Sequence, residues 1–184
     1  SNSHINNLTN YNMLPFIIST ACLNGKYVNQ TCFAEAWLRA TKNGQPTGAV
    51  STVMSTMSQP WNPPMGGQDE MIRLLTGAEN TTVKRTFGGI VFNGLAKMHE
   101  VYPTTTSQGL QTMRTWVLFG DPTLQVRTAV PQLLTVSHNS QIYTGVTQLQ
   151  VSSPVENAKV VLTKGNTILA QGFISGDSVV LNFN

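Results

Sequence analysis

An α/β domain built on a parallel sheet, followed by a short all-β unit, is the fold these 184 residues predict. Two observations carry that reading. Between Leu14 and Ser55 a strand-type run, an amphipathic helical stretch and a β-branched run follow one another. A strand, a crossover helix and a second strand imply parallel pairing. Beyond Val130-Pro131 no helical pattern survives, and short β-rich runs recur about every ten residues.

Residues 1–13 are polar and Asn-rich and read as a loop. The apolar run from Leu14 through Phe16, Ile17 and Ile18 to Ala21 suits a buried strand, residues 14–21. Thr31 can cap a helix running to about Lys42, because Phe33, Ala36, Trp37 and Ala40 fall on one helical face. Gly48 to Ser55 predicts a second strand. Residues 56–67 read as a break, whose three prolines and two glycines allow neither helix nor central strand. A short helix is expected from Gln68 to Leu75, with Asp69 and Glu70 at its positive end. Lys84 to Tyr102 predicts a longer one, whose Gly88, Gly89 and Gly94 suggest close packing against a neighbour. Gln108 to Leu118 predicts another helix, and Leu124 to Arg127 a short strand.

The domain boundary falls at residue 130. Within 131–184, strands are expected at Leu133–Val136, Leu149–Val151, Lys159–Leu162, Thr167–Gln171 and Val179–Phe183. Five strands are fewer than the roughly seven of an immunoglobulin-like sandwich, so this β-sandwich reads as incomplete, with an open edge.

Composition narrows the function classes. Hydrophobic residues make up 40% of the chain and charged residues only 10%, with Thr, Asn, Ser, Gln and Gly supplying the polarity. Polarity without charge fits a secreted or cell-surface protein. The net charge of +3 comes without a basic run or interleaved aromatics, which argues against nucleic acid as a partner. No apolar stretch is long enough to span a membrane. Two cysteines make neither a disulfide framework nor a four-ligand zinc site, and no acidic cluster marks a metal. Triplets of the Asn-x-Ser/Thr type occur at Asn7, Asn29 and Asn80 and are common by chance in such a composition.

Chemistry concentrates at Cys22. It follows the first strand and precedes the turn dipeptide Asn24-Gly25, which puts it at a strand's carboxyl end, where α/β sheets bind ligands. A lone cysteine there is either a small buried hydrophobe or a thiol facing a ligand. Trp61, in the proline-rich loop after the second strand, is either a pocket wall or a pin holding the loop to the core.

Seven co-linear segments then narrow the choice. They are Ala21–Gly25, Cys32–Ala36, Gly44–Gly48, Trp61 with Pro64-Met65, Gly67–Met71, Lys84–Gly89, and Trp116–Leu124 followed by Val126-Arg127-Thr128. In that order and with similar gaps they resemble the gingipains, secreted cysteine endopeptidases with a caspase-like α/β domain followed by an immunoglobulin-like one. The resemblance implies that residues 1–130 are the C-terminal half of a caspase-like parallel-sheet sandwich, and 131–184 part of an immunoglobulin-like β-sandwich. It makes Cys22 the nucleophile, with its own N–H as half of an oxyanion hole. It places Trp61 and Met65 on the walls of an arginine-preferring pocket, which suits cation–π contact with a guanidinium and packing along its aliphatic stem. Cys32 matches a family cysteine outside the catalytic pair and reads as structural.

The resemblance also sets out what should be missing. The family's base is a histidine in a Gly-His-Gly context before the cysteine strand, and its pocket carboxylate comes from upstream. None of His4, His99 and His138 matches. We therefore expect the chain to begin just after the catalytic histidine and to be inactive alone, with self-association of the exposed sheet left open. Catalysis would require no cofactor, structural calcium is compatible with the family, and the partners would be protein or peptide substrates. The competing expectation is a non-catalytic surface or adhesion module on a degenerate peptidase scaffold.

Overall fold

A computed structural model describes residues 1–78, 83–103 and 108–184. Two compact units divide the chain, Ser1–Ala129 and Val130–Asn184. The first begins with α1 (Asn2–Ile5), β1 (Phe16–Ile18), α2 (Phe33–Arg39) and a two-stranded hairpin, β2 (Thr41–Lys42) and β3 (Gln45–Pro46). It continues through β4 (Ser51–Ser55), α3 (Asn62–Thr76), α4 (Phe87–Val101), α5 (Gln108–Thr115) and β5 (Trp116–Phe119).

The central sheet has the order β1-β4-β5. Phe16 pairs with Ser51 and Ile18 with Val53 in parallel, as the crossover requires, and β5 adds antiparallel with Ser55 opposite Trp116. The sheet is therefore mixed rather than all-parallel. All of β4 is buried, because both faces are covered. On one face Val53, with Phe16 and Ile18, packs against Met71 of α3 and Phe87, Ile90 and Val91 of α4. On the other, Met54 and Ile17 pack against Ala34, Phe33 and Trp37 of α2. The period-2 alternation of strand side chains assigns neighbouring residues to opposite helices. Between α3 and α4 the backbones approach closely at Gly94, where an added Cβ would lie 2.9 Å from Gly67 O.

Several sequence expectations are corrected. Of the break expected over 56–67, residues 62–67 are the start of α3, with Pro63 and Pro64 buried in its first turn. First-turn residues need no N–H partner within the helix, so proline fits where it would break an interior. Asp69 and Glu70 consequently lie well past the first turn, and Glu70 meets Arg73 at 3.8 Å. The helix expected to run to Leu118 stops at Thr115 and continues directly as β5. Leu124 to Arg127 forms no strand, only a bridge between Thr86 and Gln125. The first helix ends at Arg39, and Cys32, not Thr31, precedes its first turn.

The second unit holds β6 (Ser137–His138), β7 (Gln148–Ser152), β8 (Lys159–Lys164), β9 (Thr167–Phe173) and β10 (Ser178–Asn182). They form two antiparallel sheets, β10-β7-β6 and the hairpin β8-β9. Leu149, Val151, Ile174 and Leu181 are its buried apolar residues. Residues 133–136, expected to be a strand, are exposed coil, and the first strand lies just beyond them.

Candidate active site

The carboxyl ends of the parallel strands β1 and β4 lead into two loops that meet. After Ile18 the chain enters a turn over 21–25, with Leu23 in the left-handed region at φ 59°. That turn is pinned to the loop after β4: Leu23 N–H donates to Met57 O at 3.1 Å and Gly25 N–H to Ser55 O at 2.8 Å. Asn24 O in turn accepts Ala34 N–H at 3.0 Å, tying the turn to α2. Cys22 rides on this frame as an exposed free thiol. Its Sγ accepts the Gln59 N–H at 3.2 Å. Of the two readings the residues left open, an exposed thiol at the strand's end is the one the fold displays.

Trp61 and Met65 follow within a few residues. Trp61 stands at the N-cap of α3 with helical backbone angles, so Met65, four positions on, shares its helix face. The indole is 86% exposed and Met65 54%. An indole that open does not pin its loop by burial.

Cys32 is a different kind of cysteine. It is buried at the start of α2, where its N–H donates to Glu35 Oε2 at 2.9 Å. Burial first pushes its thiol up, and the nearby Glu35 carboxylate adds to that against an opposing backbone hydrogen bond, so the protonated form is favoured. The hydrogen bonds from Cys32, backbone first, hold the Glu35 carboxyl below its ordinary value of 4.5. A depressed carboxyl adds stability above its unfolded pKa and loses that stability as pH falls through the folded one. The difference in melting temperature between the native chain and Glu35→Gln should therefore be full near neutrality and vanish on acidification below about pH 4. A difference constant with pH would remove the carboxylate's role at this cap.

The three histidines lie elsewhere. His4 is exposed in α1, His99 half-buried in α4, and His138 exposed in β6 with Nδ1 2.8 Å from Asn139 O. Among the described residues Cys22 has no hydrogen bond to any of them. No group of three or more His, Cys, Asp or Glu side chains lies together among the described residues. Asn80 lies outside the described residues. Sequence reasoning missed Gln59, Ser55 and Thr115, the polar residues that tie the Gln59 loop to the sheet. The one signal in advance was the small polar pair Ser55-Thr56 ending an otherwise buried strand.

Known proteins resemble this chain in sequence and fold. A family model described as peptidase family C25 matches residues 1–127. Gingipain R1 of Porphyromonas gingivalis is 42% identical over 181 residues, which is 98% of this chain and 17% of the relative. Gingipain R2 of the same organism is 38% identical over 183 residues, 99% of this chain and 24% of the relative. The crystal structure of the Arg-specific cysteine proteinase gingipain R (RgpB) superposes with a TM-score of 0.91 at 37% identity, covering all of this chain and 42% of the other. The chain thus spans about a quarter or less of the length of the curated relatives it matches.

Proposed function

The chain belongs to peptidase family C25, and from that premise we propose that it carries the nucleophile of a secreted or cell-surface cysteine endopeptidase that cleaves after basic residues, arginine foremost. One observation carries the reading: Cys22 is an exposed thiol at the carboxyl end of a parallel strand, bonded to the loop that leads into Trp61 and Met65.

In this reading Cys22 Sγ, as thiolate, attacks the scissile carbonyl carbon and forms a tetrahedral intermediate. The Cys22 N–H is one donor to the oxyanion. A histidine contributed from outside these residues takes the thiol proton and returns it to the leaving amine. Collapse gives an acyl-enzyme thioester, which water hydrolyses, and no cofactor is needed for these steps. The Trp61 ring face and the Met65 thioether suit the arginine side chain, the first attracting its guanidinium and the second packing on its stem. The pocket carboxylate that would pair with the guanidinium lies outside these residues as well.

Residues 1–130 then correspond to the C-terminal part of a caspase-like domain, with α2 on one face of the mixed sheet and α3 and α4 on the other. Residues 131–184 correspond to part of an immunoglobulin-like sandwich, a reading supported by two antiparallel sheets with Leu149, Val151 and Leu181 turned inward. The outer edge of β1 has no strand partner among the described residues, so self-association of this chain by edge pairing belongs to the same reading.

The absence of a histidine bonded to Cys22 among the described residues favours a second reading, a non-catalytic surface module on a peptidase scaffold. An arginyl chloromethyl ketone separates the two. The intact protein should lose activity as the reagent alkylates Cys22 and leaves Cys32 untouched, with a lysyl analogue slower. An intact protein in which Cys22 resists the arginyl reagent would leave only the surface module.

A further inference from the structure

Gln59 belongs to no helix or strand, yet it touches three parts of the sheet's carboxyl end. Its N–H donates to Cys22 Sγ at 3.2 Å, and the thiol in turn has only a longer contact, 3.9 Å, to Gln59 O. Its side-chain Nε2 donates to Ser55 Oγ, on the last residue of β4, and to Thr115 Oγ1 at 3.3 Å, on the last residue of α5. The other hydrogen bonds of those hydroxyls fix the direction. Ser55 Oγ donates its proton to Met57 O at 2.8 Å, and Thr115 Oγ1 donates its own to Gln111 O at 2.8 Å. Each hydroxyl therefore offers Gln59 only lone pairs. An amide NH2 fits that position, whereas an oxygen would face two more oxygens. Gln59 Oε1 is buried without a partner among the described residues, so the side chain keeps its NH2 on the two hydroxyls at the expense of its own carbonyl.

The same loop is tied down on its other side. Thr56 N–H and Thr56 Oγ1 both donate to Thr115 O, at 2.9 and 3.1 Å, and Met57 N–H donates to Ser55 Oγ at 3.1 Å. The hydrogen bonds of Cys22, Gln59, Ser55 and Thr115 all run to neutral groups. The charged side chains carried by the segments around them are Lys26 beyond the turn, Glu35 and Arg39 on α2, Asp69, Glu70 and Arg73 on α3, and Arg114 on α5.

We infer that Gln59 is a positioning residue for Cys22: its side-chain amide bolts the loop to Ser55 and Thr115 and so holds a main-chain N–H on the sulfur, where it stabilises thiolate over thiol. A hydrogen bond donated to the charged form favours that form. The inference rests on Cys22 as the reacting thiol but needs no substrate pocket.

Its test is alkylation of Cys22 by iodoacetamide in the intact protein, followed peptide by peptide in a mass spectrometer from about pH 5 to 9. Iodoacetamide is small and neutral, so its rate follows the thiolate fraction. Gln59→Met keeps the length of the side chain and removes its donors. It should raise the midpoint for Cys22 by about one unit and slow alkylation near neutrality by about tenfold. Thr115→Val, which removes an acceptor, should shift the midpoint in the same direction, and Thr115→Ser, which keeps it, should behave as the native protein does. Continued protection of buried Cys32 in the same spectra reports that each variant is folded. If Gln59→Met exposes Cys32, the Thr115 pair carries the test. The inference is overturned if the midpoint stays put in a folded Gln59→Met, or if Thr115→Ser shifts as far as Thr115→Val. The peptidase reading fails separately, through inertness of Cys22 to the arginyl chloromethyl ketone in a protein whose iodoacetamide midpoint still depends on Gln59.

Discussion

On the proposed function, replacing Cys22 by alanine should abolish peptide hydrolysis after arginine in the intact protein, with kcat/KM down by at least about three orders of magnitude. The melting temperature stays where it was. Both halves of that expectation come from the same surroundings. The thiol is exposed, and apart from the Gln59 N–H that its sulfur accepts, the hydrogen bonds that shape its turn run through the main chain of Leu23 and Gly25. Truncating an exposed side chain of this kind changes stability by no more than about 0.5 kcal/mol. Loss of the nucleophile, by contrast, leaves no group able to form the acyl intermediate. Cys22→Ser should be nearly as inactive, because a hydroxyl is far less acidic than a thiol and the base that suffices for sulfur does not suffice for oxygen. Cys32→Ala supplies the control: a buried thiol pushed up by desolvation has no part in the chemistry, so hydrolysis survives while stability falls. Steady-state hydrolysis of an arginyl amide, measured beside thermal unfolding, checks all three. Activity within tenfold of native in Cys22→Ala would sink the assignment of the nucleophile.

How far the fold could be read from the residues depended on which signals were local. The pairing of β1 with β4 was legible because a helix between two apolar runs leaves little choice but a parallel crossover. The stripe of α4 was legible because Phe87, Ile90, Val91 and Met98 recur at the helical period and all four are buried. Where the reading failed, a rule about interiors had been applied to an end, or a boundary carried no mark. Pro63 and Pro64 forbid a helix only if they fall past its first turn, and the sequence does not say where the first turn is. Thr115 and Trp116 meet without a glycine or proline between them, so the helical pattern ran on into β5. The candidate site divides in the same way. Cys22 at a strand end was visible as a motif. Its partner Gln59 was not, because it meets the sulfur through backbone N–H, which every residue but proline carries. Only the path of the chain through Thr56 and Met57 brings that donor to the thiol.

Gly48→Ala should be among the most damaging single substitutions in the first unit, lowering its unfolding free energy by about 3 kcal/mol or more. Two costs add at this position. The backbone sits at φ +83°, where an L side chain is strained. A Cβ there would also lie 2.2 Å from Trp37 O and 2.9 Å from the Ala40 Cβ, and the first of these is backbone of α2 and cannot swing aside. Asn10 holds the strained unit from the far side, its Oδ1 accepting Gly48 N–H at 3.0 Å and its Nδ2 donating to Gly48 O at 2.9 Å. Relief by moving Gly48 would break that pair, and relief by moving α2 would open the packing of Trp37 against Met54. Gly44 separates the two costs. It has a similar φ of +73° but nothing within 4 Å of an added Cβ, so Gly44→Ala bears the strain alone, about 1 kcal/mol. All three tryptophans, Trp37, Trp61 and Trp116, lie in the first unit, so fluorescence in a denaturant titration reads that unit without interference from the second. Gly48 precedes the amino end of β4, whereas Cys22 and Gln59 gather at the carboxyl ends. Below its melting temperature Gly48→Ala should therefore keep the native alkylation midpoint of Cys22. Equal losses for Gly44→Ala and Gly48→Ala would mean that the close approach of α2 to this turn is not what the glycine serves.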